Sequence, residues 1–151
     1  MLSAEYTFRK AGHAKILEPP YCLYGLAFVY YHLGNYHEAL KHLMNATNYQ
    51  DRRGYVNIFV ANTIGQCYRN LMRYDSALHY YNITHQLAEK GDEKAWIGIS
   101  FGNIGFIHIT QGNYAAARPF FEKYLRYVTT AFEKDTVCIS EAVTGLADIE
   151  I

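Results

Sequence analysis

The histidines of this chain are candidates for binding a metal ion or acting as a general base. Seven histidines are present, and two pairs share a predicted helix, His37 with His42 and His79 with His85. Separations of five and six residues do not place two side chains on one helical face, because residues three or four apart do so. No His-Glu-x-x-His segment occurs. The histidines are therefore interpreted as packed rings rather than as ligands or catalytic bases.

The three cysteines, Cys22, Cys67 and Cys138, are far apart, and each lies in an apolar helical segment. A zinc site needs ligands clustered at short spacing, so the cysteines are predicted to be buried free thiols. Neither a glycine-rich phosphate loop nor a Gly-x-Ser-x-Gly nucleophile turn occurs. The sequence thus predicts no cofactor, no bound metal and no catalytic residue, and an enzyme is not expected.

The balance of charge limits the partners. Acidic and basic residues number 14 each in 151 residues, and a neutral chain lacks the basic footprint that binds nucleic acid. No apolar run is long enough to span a bilayer, so no nucleic-acid partner and no membrane insertion are expected. No signal peptide is visible. The expected location is cytoplasmic, or extracytoplasmic if a parent protein carries a signal or anchor outside this sequence.

The elements that must position any functional side chain are helices. Gly34 and Gly112 suit a left-handed turn between consecutive helices. Met72 stands at the matching place of another turn, which is expected to take a different conformation. Pro119 is expected to kink its helix or shift its start. Apolar periodicity predicts helices at 2–15, 20–33, 36–49, 54–71, 74–90, 93–111, 114–132 and 135–150.

An internal repeat orders these helices. Tyr-His-Leu-Gly-Asn-Tyr at 31–36 is echoed by Ile-Thr-Gln-Gly-Asn-Tyr at 109–114, with Asn-Leu-Met-Arg-Tyr at 70–74 between them. An alanine follows each closing tyrosine by three residues. A small residue recurs at 27, 65, 105 and 147, which gives periods of 38, 40 and 42 residues. Periods of this length are typical of helical repeat arrays.

The repeat resembles the tetratricopeptide repeat, a unit of two antiparallel helices. The resemblance implies an all-α fold, a right-handed α-solenoid of antiparallel helix pairs with about seven helices, in which His108 is a packed core ring. The period exceeds the usual length of about 34 residues, and elongated units of this kind resemble those of Pins-type adaptors and of bacterial signalling proteins. The matching residues are Leu26, Ala27, Tyr30, Gly34, Tyr36 and Ala39; Ile64, Gly65, Tyr68, Met72, Tyr74 and Ala77; and Ile104, Gly105, His108, Gly112, Tyr114 and Ala117.

The repeat also suggests how the chain is divided. A single domain is predicted, and both of its ends fall within a repeat, so a fragment of a longer chain is expected. The last helix places Val143, Leu146 and Ile149 on one apolar face with no following helix, which predicts self-association through that face. The divisions are 1–19 (a trailing helix), 20–53, 54–92 and 93–134 (three repeats), and 135–151 (the first helix of a fourth).

In the tetratricopeptide family the first helix of each repeat lines a concave groove, which implies a peptide-binding site. Steps of three and four residues place the residues of each helix on one face. They are expected to be partly exposed, whereas Tyr30, Tyr68 and Ile104 are expected to be buried. The alternative is that the aromatic rings only pack on one another. The groove residues are Tyr21, Tyr24, Phe28, Tyr31, Phe59, Asn62, Gln66, Arg69, Ile99, Gly102, Asn103, Phe106 and Ile109.

The leading functional prediction is a non-catalytic module that binds a peptide or protein segment in this groove. Aromatic rings are rigid interface anchors, and Asn62, Gln66 and Arg69 could hydrogen-bond a peptide. The alternative is the sensory or regulatory array of a bacterial signalling protein, a sensor kinase or transcription regulator with its output domain elsewhere. Arg69 is the one basic residue of this face, so a basic clamp for acidic chain ends is not expected.

Overall fold

The described part of the molecule consists of helices joined by tight turns. The computed structural model describes residues 19–47, 55–131, 136–147 and 149. No strand occurs among these residues, so the predicted all-α class is confirmed. The predicted helix at 2–15 lies outside the described residues. The helices are α1 Pro19–His32, α2 Tyr36–Ala46, α3 Tyr55–Asn70, α4 Tyr74–Lys90, α5 Lys94–Thr110, α6 Tyr114–Ala131 and α7 Thr136–Ala147.

The helix bounds follow the sequence pattern closely. All seven helices of the described ranges begin within one residue of the predicted position. The largest differences are at the ends of α2 and α7, each three residues earlier than predicted. Pro119 lies inside α6, which begins at Tyr114. The expected shift of that start therefore does not occur.

Four turns between helices share one backbone conformation. Gly34, Met72, Asp92 and Gly112 have positive φ values of 75°, 58°, 53° and 72°. At each turn this residue donates its N–H to the carbonyl three residues back, and the next residue donates to the carbonyl five residues back. This is the Schellman motif that ends many helices. The expectation that the Met72 turn differs is wrong, because the methionine takes the conformation that glycine takes at two other turns.

Two of these turns also cap the helix that follows. Asn35 Oδ1 accepts the backbone N–H of Glu38 at 3.3 Å, and Asn113 Oδ1 accepts that of Ala116 at 3.4 Å. Asparagine at this position satisfies a backbone donor that the first helical turn leaves open. Arg73 stands at the matching place before α4 and carries no side-chain acceptor. The Gly-Asn pair therefore serves both neighbouring helices, whereas the Met-Arg pair does not.

The chain divides into two compact units, with the boundary inside α4 after Ala77. In the first unit α1 packs along α2, and α3 contacts both. Ala27 of α1 and Ala39 of α2 are fully buried, and small side chains at such positions let two helix axes approach closely. Tyr30 stacks on His42 with ring centroids 5.5 Å apart. The repeated small residues thus lie at the helix contact, as the repeat pattern predicts.

The second unit is built on the close packing of α5 along α6. A Cβ atom at Gly102 would lie 2.6 Å from the ring of Tyr124, and one at Gly105 would lie 2.8 Å from the ring of Phe121. Both aromatic side chains are buried, and the glycines leave the space that the rings fill. Gly145 of α7 also faces Phe121. Glycine at these positions therefore permits the close approach of α5 and α6.

The apolar side of α7 faces this same core. Leu146 and Ile149 pack against the buried cluster that includes Phe121 and Tyr124. Val143 is 51% exposed. Of the three residues predicted to form an uncovered apolar face, Leu146 and Ile149 are thus partly buried against the aromatic core. Self-association through this face stays a prediction.

Candidate functional site

One face of α1 carries a row of aromatic rings in contact. Tyr24, Phe28 and His32 follow one another at intervals of four residues, with ring centroids 6.1 Å apart for the first pair and 4.2 Å for the second. Tyr31 lies 5.3 Å from His32 and 5.7 Å from Tyr36 of α2. Aromatic pairs at these separations attract each other. The rings therefore hold one another in position along the helix.

Phe59 of α3 joins this row. Its ring lies 5.8 Å from that of Tyr24, and Tyr24 also hydrogen-bonds Thr63 of α3. Burial raises the pKa of Tyr24, and the bond to Thr63 opposes that rise. Phe28 and Phe59 remain 45% and 38% exposed. We call Tyr24, Phe28, His32 and Phe59 the aromatic surface.

Three polar residues assigned to the groove follow on α3. Asn62 is only 6% exposed, contrary to the expectation of partial exposure. Gln66 and Arg69 are half-buried, and the backbone carbonyl of Gln66 accepts a hydrogen bond from Asn70 Nδ2 at 2.8 Å. Of the three side chains, those of Gln66 and Arg69 are the ones that solvent reaches. Tyr21 lies in α1, but its side chain is outside what the structure describes.

The groove residues of α5 belong largely to the core of the second unit. Asn103 is 8% exposed, so partial exposure is wrong for this residue too. Phe106 packs edge-on against Phe121 at 4.9 Å, and Ile109 packs on the same buried cluster. Ile99 is half-buried. Packing therefore accounts for Phe106 and Ile109 without a ligand.

Of the three residues that are expected to be buried, one is buried and two are not. Ile104 is 6% exposed, which confirms its assignment. Tyr30 and Tyr68 are half-buried rather than buried. Both are large rings at a helix surface, where the phenol end keeps some contact with water.

A polar cluster that the sequence patterns did not single out joins α4 to α5. His85 Nδ1 lies 2.9 Å from Ser100 Oγ, and His85 Nε2 lies 3.4 Å from the carboxylate of Glu89. The imidazole also packs on Phe101 with centroids 4.6 Å apart. Ser100 is fully buried, and its hydroxyl donates to the carbonyl of Ile97 at 2.7 Å. The hydroxyl proton is thus engaged and the oxygen closed to solvent, so the cluster links two helices and offers no nucleophile.

The two cysteines whose side chains the structure describes likewise offer no reactive group. Cys22 and Cys67 are buried and form no disulfide, and burial raises the pKa of Cys67 to about 12. A protonated thiol is a poor nucleophile and metal ligand. Within the described ranges, no three histidine, cysteine or acidic side chains lie close enough together to hold a metal ion. No helix in those ranges has the length and apolar character needed to cross a membrane.

Comparison with known proteins agrees with the fold. A family model described as tetratricopeptide repeat matches residues 57–129, and a second one matches residues 21–46. The chain belongs to the tetratricopeptide repeat family, whose repeats generally act as protein–protein interaction modules and are typically non-catalytic. No curated protein matches the sequence significantly.

A solved structure supports the same fold class. The crystal structure of BtubC (BKLC) from P. vanneervenii is similar over 95% of this chain, with a TM-score of 0.75 and 10% sequence identity. The present chain spans 60% of the length of that protein. At this level of identity the likeness establishes the helical repeat fold alone.

Proposed function

We propose that this chain is a non-catalytic interaction module that binds a peptide or protein segment through the aromatic surface of α1 and α3. The observation that supports this most is the exposure of Phe28 and Phe59 beside the ring of Tyr24. Contiguous exposed apolar area is a common mark of interaction sites. Aromatic side chains in such a position are effective anchors, since they bring large contact area at little cost in side-chain entropy.

The partner is a segment that carries apolar side chains. Gln66 and Arg69 lie further along α3 and are half-buried, so they offer hydrogen bonds to a peptide backbone or a carboxylate. The proposed site rests on α1 and α3, because Asn103 and Phe106 of α5 are accounted for by burial and packing. The absence of a disulfide at Cys22 and Cys67 supports a reducing compartment such as the cytoplasm for this interaction.

Peptide display followed by calorimetry tests the proposal. A library of short random peptides is selected against the folded chain, and the Kd of a recovered peptide is measured for the wild type, Phe28→Ala and Phe59→Ala. Each truncation is expected to weaken binding by about 1–3 kcal/mol, as for interface anchors, which is roughly a 5- to 150-fold rise in Kd. Little stability should be lost, because both rings are already partly in water.

Two variants calibrate this result. Leu33→Ala removes an apolar side chain that is 73% exposed but lies outside the aromatic surface, and it should leave Kd unchanged. Ile64→Ala empties a fully buried position of α3 and should cost about 2–5 kcal/mol of unfolding free energy. The proposal fails if no peptide is recovered, or if Leu33→Ala weakens binding as much as Phe28→Ala. Equal destabilisation by Phe28→Ala and Ile64→Ala would assign the ring to the core instead.

A further inference from the structure

Positive charge is concentrated on the α5–α6 helix pair, although the whole chain is neutral. Helix α5 contains Lys94 and no acidic residue, and α6 contains Arg118, Lys123 and Arg126 against the single acid Glu122. Four basic groups less one acidic group leave a formal charge of +3 on these two helices. A local excess of this kind attracts anions even when the net charge of the protein is zero.

Much of this charge borders one pocket. An open pocket of about 270 Å³ is lined, among the described residues, by Lys94, Arg126, Tyr127 and Thr130. A Cβ atom at Gly98 would lie 2.9 Å from Cβ of Tyr127, so the two helices are in close contact here. The volume is just below that of typical small-molecule pockets, which begin at about 300 Å³. The pocket therefore suits a single compact group rather than a large ligand.

A third cation lies one helical turn away. Lys123, Arg126, Tyr127 and Thr130 are spaced by three and four residues on α6 and so share one face. Lys123 Nζ lies 5.0 Å from the centroid of Phe101, whose ring is 5.9 Å from that of Tyr127. The Lys123 ammonium thus lies over a ring that contacts Tyr127 of the lining, and its charge adds to those of the two lining cations.

The polar residues of the lining differ in whether they can donate a hydrogen bond to a ligand. Thr130 Oγ1 lies 2.7 Å from the carbonyl of Arg126 and 3.0 Å from that of Tyr127, so its proton is engaged within the helix. Lys94 and Arg126 make no ion pair within the described part of the chain, although Glu122 lies one turn before Arg126. The lining residues thus include an ammonium and a guanidinium, which can donate hydrogen bonds to an incoming acceptor.

We propose that this pocket binds a phosphate monoester group. A dianion matches two lining cations and a third nearby better than a single carboxylate does, and a guanidinium can bond two phosphate oxygens at once. Asp92 and Glu93 directly precede Lys94, and their negative charges oppose the attraction of a phosphate dianion to the pocket. The lining shares no residue with the proposed peptide surface on α1 and α3. The pocket also lies on a different face of α5 from Ile99 and Phe106. Lys94, Gly98 and Phe101 are spaced by four and three residues and therefore share one face of the helix, which does not include those two residues.

Titration with inorganic phosphate tests the proposal. Backbone amide NMR monitors the titration at constant ionic strength, with chloride as the reference salt. Saturable shifts are expected at the start of α5 and in the last turns of α6, with Kd on the order of millimolar. Lys94→Gln and Arg126→Gln should each raise Kd about tenfold, as loss of a charged hydrogen bond does. Glu93→Gln, which removes an opposing charge, should lower Kd. Arg73→Gln, an exposed position of the first unit, is the matched control.

The source of the phosphate is distinguished by two further probes, a phosphoserine peptide and glycerol phosphate, each compared with its unphosphorylated form. Tighter binding of the phosphopeptide than of inorganic phosphate supports a protein-borne group, and equal binding of all phosphates supports a free metabolite. Shifts that do not saturate, or that chloride reproduces, overturn the proposal. It is also overturned if Arg126→Gln, shown to be folded by circular dichroism, binds phosphate as tightly as the wild type and Arg73→Gln.

Discussion

Burial decides what the potentially reactive side chains of this chain do. Cys67 has no exposed surface, and Ser100, which contacts His85, is equally closed. Both lie where helices meet, so their polarity serves packing and hydrogen bonding rather than chemistry. The consequence is measurable for Cys67, because burial changes its proton affinity.

We expect the stability of the protein to decrease at alkaline pH, partly through Cys67. Burial raises the pKa of Cys67 from 9.0 to about 12, so the folded state holds the thiol proton more tightly than the unfolded chain. This contribution to stability is complete below pH 9 and is lost as the pH rises toward 12. Urea denaturation across that interval should show a falling unfolding free energy and a shallower fall for Cys67→Ala. Identical slopes for the two proteins would contradict the assignment.

The sequence anticipates part of this residue-scale picture. Cys67 stands in an apolar helical segment, which correctly predicts a buried thiol. The four-residue spacing of His85 and Glu89 is visible in the sequence, but their link to Ser100 is not. Ser100 is 15 residues from His85, and the two meet only because α4 and α5 pack together with a particular rotation. A pattern along one helix carries no information about that rotation.

At the scale of the elements, the tight turns are the most regular feature. The same pair of backbone hydrogen bonds closes the turns at Gly34, Met72, Asp92 and Gly112. The sequence correctly predicts left-handed turns at the two glycines, but the prediction of a different turn conformation at Met72 is wrong. At Met72 the turn takes the left-handed conformation without a glycine, which places backbone strain on a residue that has a side chain.

Replacing Met72 by glycine should therefore stabilise the protein. A residue with a side chain pays roughly 1–2 kcal/mol to occupy the left-handed region, and Met72 is 76% exposed, so little packing is lost. We expect Met72→Gly to raise the unfolding free energy by about 1 kcal/mol, after the greater flexibility of glycine in the unfolded chain is subtracted. Urea denaturation measures the change.

The reverse substitution at a glycine turn is the control. A Cβ atom at Gly112 would meet nothing within 4 Å, so Gly112→Ala changes backbone strain without a clash. It should lower the unfolding free energy by about 1 kcal/mol. If Met72→Gly lowers stability instead, the methionine side chain contributes contacts that outweigh its strained backbone.

At the scale of the whole molecule, the repeat predicts the fold class far better than it predicts the site. Small residues recur where helices touch, and Ala27, Ala39 and Ala117 are all fully buried. Exposure at the groove positions is not encoded in this way. Asn62 and Asn103 share a helical face with more exposed residues, yet both are buried, because exposure depends on how neighbouring helices cover that face.

Charge shows the same limit of sequence reasoning. Overall neutrality argues against a basic footprint spread over the molecule, and it led to the expectation of no nucleic-acid partner. It does not reveal that Lys94 and Arg126 line one pocket, with Lys123 one helical turn from Arg126. Net charge is a sum over the chain, whereas binding depends on the charges that surround one place.

The apolar residues of the last helix, α7, could either pack in the core or form a surface for self-association. Leu146 packs on the aromatic cluster of the second unit, whereas Val143 is half in solvent. We therefore expect Leu146→Glu to lower the unfolding free energy by about 1–3 kcal/mol, in the range of disruptive core substitutions. Val143→Glu should change it by less than about 0.5 kcal/mol.

Thermal melts and light scattering on these two variants separate the roles. If α7 closes the core, Leu146→Glu loses stability, and its mass in solution matches that of the wild type as long as it is folded. If α7 is an association surface, the wild type forms dimers that Leu146→Glu dissociates without loss of stability. The inward packing of Leu146 and Ile149 favours the first result, since a carboxylate placed against the ring of Phe121 would be charged and poorly hydrated.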